Sequence, residues 1–132
     1  MRRALALALA GGASLALAQD PPPVPEPWVI PAAELKGVKN PVVRAALPGS
    51  VKKGAAIYKA ECASCHGDAG HGDGPDGLYF VPPPPRLTGL TAGDAELFLK
   101  TTRGRGNMTS YETKLDAAQR WDVVNFVKTL KE

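Results

Sequence analysis

Apolar and polar positions divide this chain into stretches of different character. Residues 4 to 18 form an apolar run broken only by Gly11, Gly12 and Ser14, with Arg2 and Arg3 in front of it. From Asp20 to Gly49 the pattern is set by Pro21, Pro22, Pro23, Pro25, Pro27, Pro31, Pro41 and Pro48. Proline fixes φ and removes a backbone donor, so this stretch is predicted to be extended. One short helical turn is predicted near Ala32 to Leu35, and Trp28, Val29, Ile30, Val42 and Val43 predict that part of the stretch packs. Helical order is predicted to begin after Ser50, a good N-cap. Val51, Gly54, Ala55, Tyr58 and Cys62 follow at i, i+3, i+4, i+7 and i+11, one face of a helix. Ala95, Phe98, Leu99 and Thr102 mark a second helix, with Thr91 as its cap. A third starts from Asp116, whose partner Gln119 completes a capping-box pattern. Val123, Val127 and Leu130 line its buried face, widened by Trp121, Val124 and Phe126.

No run of the chain has the alternation of a strand, so the predicted fold is all-α: three main helices joined by long Gly/Pro-rich loops. The longest loop, Gly67 to Gly89, holds Gly70, Gly72, Gly74, Gly77 and the run Pro82-Pro83-Pro84-Pro85. Its glycines resemble a phosphate cradle only superficially, because neither a preceding strand nor a P-loop lysine is present. The expected organisation is a signal peptide at 1–18, a proline-rich extension at 19–49 and one helical domain at 50–132.

The N-terminal run ends in Ala16-Leu17-Ala18, an A-x-A-like cleavage site, and reads as a secretory signal. It is shorter than the roughly 20 apolar residues of a membrane helix; an uncleaved anchor is the alternative. Cleavage after Ala18 leaves 114 of the 132 residues, one small domain with limited core for its size. The formal charge of +3 comes partly from Arg2 and Arg3, and without them 14 basic side chains face 13 acidic ones. That balance gives no reason to expect a nucleic-acid partner.

The chemistry is concentrated in Cys62-Ala63-Ser64-Cys65-His66, which contains both cysteines of the chain. C-x-x-C-H is the pattern of c-type haem attachment. Two thiols reach the two vinyl groups of one porphyrin, and the adjacent imidazole is presented to the iron. The competing readings are a zinc half-site, for which about four ligands are needed and few are in sight, and a thioredoxin-like pair, for which the strand-helix-strand context is missing. A buried porphyrin would also supply apolar volume that a domain of this size lacks, and its two propionates would turn the net charge of the processed chain from +1 to about −1.

The second axial position separates electron carriers from ligand-binding haems. Met108, the only methionine left after cleavage, sits in the glycine-flanked loop Gly104-Arg105-Gly106-Asn107-Met108-Thr109-Ser110-Tyr111, and is the expected ligand; its soft thioether favours ferrous iron. Core filling is the alternative use of a methionine. His71, five residues beyond His66, is the rival ligand, on a loop too short to reach the opposite ring face.

These residues carry a family resemblance: the chain is similar to class I, mitochondrial-type cytochromes c of the bacterial monohaem kind, over roughly Ser50 to Leu130. Gly54-x-x-x-Tyr58-x-x-x-Cys62 resembles the family's N-terminal helix, whose glycine lets the C-terminal helix approach and whose aromatic packs at the crossing. Val123-x-x-Phe126 resembles the reciprocal pair. Pro85-Arg86-Leu87 resembles the proline-x-leucine segment whose proline carbonyl accepts the proximal histidine's N–H. The resemblance implies one covalent haem c on Cys62 and Cys65, axial His66 and Met108, and a haem surround including Pro85, Arg86 and Tyr111. One departure is Thr109, where the family usually has proline after its ligating methionine.

With both axial positions filled by protein, substrate cannot reach the iron, and the expected function is outer-sphere transfer of one electron, not catalysis. The expected setting is periplasmic or otherwise extracytoplasmic. Partners would be a quinol-oxidising complex, a dehydrogenase or a terminal oxidase, with peripheral membrane association. Alternatives are a haem subunit permanently docked on such a complex through its proline-rich arm, and a ligand-binding haem sensor or peroxidase. Arg86, Arg103 and Arg105 are candidates for propionate pairing. Lys52, Lys53 and Lys59 are candidates for steering an acidic partner.

Overall fold

A computed structural model describes residues 27–132. The expected signal peptide at 1–18 and Pro21, Pro22, Pro23 and Pro25 lie outside the described residues. Five α-helices follow in order: α1 (Ala32–Leu35), α2 (Leu47–Glu61), α3 (Ala63–His66), α4 (Asp94–Arg103) and α5 (Ala117–Val127). Among the described residues there is no strand, and the three longer helices α2, α4 and α5 make the expected all-α architecture.

Two helix starts differ from the sequence prediction. α2 begins at Leu47, with Pro48 in its first turn, where a missing N–H is harmless because the first helical N–H groups have no intrahelical partner. Ser50 is therefore inside the helix and buried. Its hydroxyl caps nothing; it donates to Asp122 and accepts from Asn125 Nδ2 at 2.8 Å, both on α5. α4 is capped by Gly93, not Thr91, and carries Asp94 and Glu96 in its first turn and Lys100 and Arg103 in its last, the charge order that suits a helix dipole. The α5 start agrees with prediction: Gln119 N–H donates to Asp116 Oδ1 at 2.8 Å, and Asp116 N–H donates to Gln119 Oε1 at 2.9 Å.

α2 and α5 cross at Gly54, where a methyl would collide with the Asp122 carbonyl and sit 2.9 Å from Phe126 Cβ. Only glycine permits that approach, and the rings of Tyr58 and Phe126 then pack at 5.1 Å with a 53° tilt. α4 joins α5 through the Phe98–Trp121 stack, 4.1 Å between centroids. Tyr58, Ala63, Tyr111, Leu115, Val123 and Val127 form the buried core, which thus runs directly under the C-x-x-C-H turn.

Residues 27–43 do not hang free. Ile30 is buried, Glu34 pairs with Arg103 at 2.6 Å, and Asn40 Nδ2 donates to Asp94 Oδ2 at 3.0 Å and to Asn125 Oδ1 at 2.6 Å. Trp28 lies under Lys100, 5.6 Å from its ammonium. The extension is a strap across α4 and α5. Val29 and Val43, expected among its packing residues, are exposed, because an extended segment turns alternate side chains outward.

Candidate functional site

The C-x-x-C-H segment is a helical turn hinged on Cys62, the joint between α2 and α3. The N–H groups of Cys65 and His66 both donate to the Cys62 carbonyl, at 3.2 and 2.9 Å. The two cysteines are not joined in a disulfide. Burial, then the Glu61 and Cys65 charges, push the Cys62 thiol up to about 12, so it is held neutral. Burial also pushes the His66 imidazole below its ordinary value, against the opposing pull of the Pro85 carbonyl. His66 is therefore neutral near pH 7. Its Nδ1 lies 3.3 Å from Pro85 O, and because a carbonyl only accepts, Nδ1 carries the proton and Nε2 keeps a free lone pair.

The glycine-rich loop is what holds this turn. Gly72 N–H donates to His66 O at 2.8 Å, Gly74 N–H to Cys65 O at 3.2 Å, and Asp76 N–H to Ser64 O at 2.8 Å. Carbonyls at the end of a helix lack intrahelical partners, and here the loop satisfies three in succession. It can do so only without side chains: a methyl on Gly74 would be 2.6 Å from Ala63 O, and one on Gly77 would be 2.5 Å from Cys65 O. Gly67 closes α3 with φ +80°, and its carbonyl accepts from the buried Tyr58 hydroxyl at 2.7 Å. The loop's N–H groups are thus committed to the turn rather than to a phosphate. The proline run then returns along the same face and delivers Pro85 O to His66.

Met108 is half-buried in a tight reversal, in which Arg105 and Met108 exchange two backbone hydrogen bonds of 3.0 Å. Gly104 and Gly106, at φ +63° and +58°, supply the left-handed backbone that the reversal requires. Ser110 Oγ donates to Thr102 O at 2.7 Å. The decisive tether is Tyr111, buried in the core, whose hydroxyl donates to Glu61 O at 2.6 Å. It binds the methionine loop to the residue just before Cys62. Burial, with the nearby Glu61 charge, pushes the Tyr111 phenol up to about 12, so the hydroxyl stays a donor.

The fold thus brings Cys62, Cys65, His66 and Pro85 together and links them to the Met108 loop through Tyr111. Arg86 is exposed and turns to Glu132 at 3.6 Å, Arg103 is engaged by Glu34, and Arg105 is exposed. Glu61, at the end of α2, pairs with Lys114 at 2.5 Å. The Gly72 N–H to His66 O hydrogen bond holds the backbone just after His71 against the end of α3. Two functional features escaped the sequence prediction: the glycine backing at Gly74 and Gly77, and the Tyr58–Gly67 bond. Their only trace in the sequence is glycine spacing, which does not say what it will touch.

Two free thiols and a neutral, oriented imidazole on one turn suit a ring stitched by two thioethers and ligated on one face. Among the described residues no cluster of three or more His, Cys, Asp or Glu side chains is set to hold an ion by itself.

Comparison with known proteins agrees. The profile of the family "cytochrome C oxidase, cbb3-type, subunit III" matches residues 49–127. The cbb3-type cytochrome c oxidase subunit CcoP of Azospirillum sp. (strain B510) is 36% identical over 92 residues, 66% of this chain. The chain spans 31% of that relative's length. Among solved structures, the reducing HAO-like protein complex of Kuenenia stuttgartiensis aligns with TM-score 0.58 and 27% identity, over 72% of this chain and 50% of the other. Cytochrome cL of Hyphomicrobium denitrificans aligns with TM-score 0.55 and 24% identity, over 74% of this chain and 55% of the other, and shares the fold.

Proposed function

Because this chain belongs to the cbb3-type cytochrome c oxidase subunit III family, a family of covalent haem c and electron transfer, we propose that it is an extracytoplasmic one-electron carrier ligated by His66 and Met108. The observation that carries the reading is the His66 Nδ1–H to Pro85 O hydrogen bond, which leaves a single nitrogen free on a ring of defined orientation. Haem supplies the reversible one-electron chemistry. The protein's part is to hold, orient and exclude.

Pro85 O fixes the imidazole tautomer and increases its basicity. Burial keeps the imidazole neutral, the form that ligates. The glycine-backed turn leaves Cys62, Cys65 and His66 little freedom. On the other axial side Met108 would serve, its loop held by the Arg105–Met108 reversal and the Tyr111 tether, and its half-buried, polar setting suits ligation better than core filling. Thr109 keeps a backbone N–H where proline would have none, so the loop depends on Ser110 and Tyr111 for its stiffness. His71, on a loop tied to the His66 carbonyl at the very next residue, is the poorer candidate.

Expected partners are a quinol-oxidising complex, a dehydrogenase or a terminal oxidase, the last in keeping with the CcoP relative. No helix among the described residues is long and apolar enough to cross a membrane. The CcoP relative is also in keeping with a haem subunit docked on a membrane complex; of residues 27–43, Ile30, Glu34 and Asn40 are engaged by the chain itself and would not serve as the docking contacts.

The test is to produce the protein in a host that matures c-type haems and to compare it with Met108→Ala. The wild type should retain its pigment in acid–acetone, show a low-spin spectrum in both oxidation states and exclude carbon monoxide. The variant should have a lower potential and bind carbon monoxide. An unchanged spectrum and potential would remove Met108 from the site, and release of the pigment by acid–acetone would remove the covalent attachment.

A further inference from the structure

We propose that the loop Leu78-Tyr79-Phe80-Val81 is the docking knuckle for the redox partner, a membrane-borne protein presenting an apolar patch rimmed by basic side chains. This rests on the electron-carrier reading above. Leu78, Tyr79 and Val81 are 71%, 86% and 82% exposed. Three large apolar side chains side by side on one short loop are unusual on a solvated surface and mark an interaction site. Tyrosine is also a residue type enriched among interface hot spots.

The knuckle is rigid and stands against the attachment turn. Gly77, at its base, packs on Cys65 O so closely that a methyl would be 2.5 Å away, with Pro84 Cγ at 2.7 Å. Phe80 N–H donates to Gly77 O at 3.1 Å, and Asp76 N–H to Ser64 O at 2.8 Å. The proline run from Pro82 stiffens its other end. A preorganised loop loses little conformational entropy on docking, and its contact with the Cys65 backbone brings a bound partner close to the redox centre. A haem held by Cys62, Cys65 and His66 would exchange one electron with the partner's one-electron centre, with no bond made or broken and no proton moved.

Charge selects the occupant. Between His66 and Pro85 the chain carries Asp68, Asp73 and Asp76 and no lysine or arginine, and all three carboxylates are exposed. Arg86, the first arginine after the loop in the sequence, faces Glu132 at 3.6 Å. A second copy would bring one acidic loop against another, and an anionic bilayer surface would be repelled. A basic-rimmed protein is attracted.

The test uses the haem-loaded full chain and membranes of the organism that encodes it. Leu78→Ser/Tyr79→Ser/Val81→Ser should keep the spectrum and potential of the wild type and its reaction with hexaammineruthenium, yet exchange electrons with the membranes at least tenfold more slowly. Asp76→Lys, which leaves the backbone bond to Ser64 intact, should slow exchange at low ionic strength, and the difference should vanish at about 1 M salt, where the screening length is about 3 Å. An unchanged exchange rate in the triple variant would overturn the proposal. So would wild-type sedimentation with phosphatidylcholine/phosphatidylglycerol vesicles, or a concentration-dependent dimer in the ultracentrifuge, if either is lost in the triple variant. A wild type that membranes neither oxidise nor reduce would overturn it too, while an intact low-spin spectrum would leave the His66/Met108 reading standing.

Discussion

Tyr111 shows how much of this site hangs on single hydrogen bonds. Its ring fills the core and its hydroxyl reaches the carbonyl just before Cys62, so it works at once as packing and as a strut for the methionine loop. Tyr111→Phe keeps the packing and deletes the strut. The loss should be about 1 kcal/mol of stability, more if Glu61 O finds no water, read by denaturant unfolding. The Met108 loop should loosen with it, so ferrous Tyr111→Phe should bind carbon monoxide detectably faster than wild type; equal rates would show that the loop is held otherwise. At this scale the sequence was informative where chemistry is local. Cys62, Cys65 and His66 announce themselves because one helical turn sets their spacing. Pro85 was chosen among four prolines only by resemblance, and the 3.3 Å contact with His66 singles it out by geometry. Gly74 and Gly77 were unreadable as backing, since what a glycine avoids is another part of the chain.

Among the helices, the polar chain from Ser50 through Asn125 and Asn40 to Asp94 and Lys128 ties α2, α4 and α5 together. Hydrogen bonds from Lys128 and Asn40 hold the Asp94 carboxyl below its ordinary range. A carboxylate whose pKa is depressed by folding stabilises the protein above its unfolded value of about 3.9, and that contribution is lost as pH falls through the lower folded value. Asp94→Asn should therefore be less stable than wild type at pH 7, modestly so because the pair is part-exposed. The gap in thermal midpoint should close below about pH 4; a gap that persists in acid would mean that the charge is not its source. Element starts were legible at α5, where Asp116 and Gln119 cap locally, and illegible at α2 and α4. Ser50 looks like a cap in sequence, yet its hydroxyl is claimed by Asp122 and Asn125, more than 70 residues away.

Across the whole molecule, the strap of residues 27–43 is the feature that makes one body of extension and helices. Asn40 is its main rivet, and removing it leaves Asn125 and Asp94 short of a partner. Asn40→Ala should cost about 1–3 kcal/mol and free the strap. Trypsin should then cut at the exposed Lys36 and Lys39 at least severalfold faster than in wild type, with the haem spectrum unchanged; equal cleavage rates would place the rivet elsewhere. The amino-acid order alone determined the helical class, the attachment motif and the α5 cap, because periodicity, caps and spacing are set by neighbours within a few turns; the Gly54–Tyr58–Phe126 crossing was legible only through resemblance. Tertiary structure alone decided the role of Ser50, the docking of Ile30 and Asn40, the glycine backing of the Cys65 turn and the Tyr111 tether. Each is a contact between segments that are not neighbours along the chain, and such contacts come into being only when the chain closes on itself.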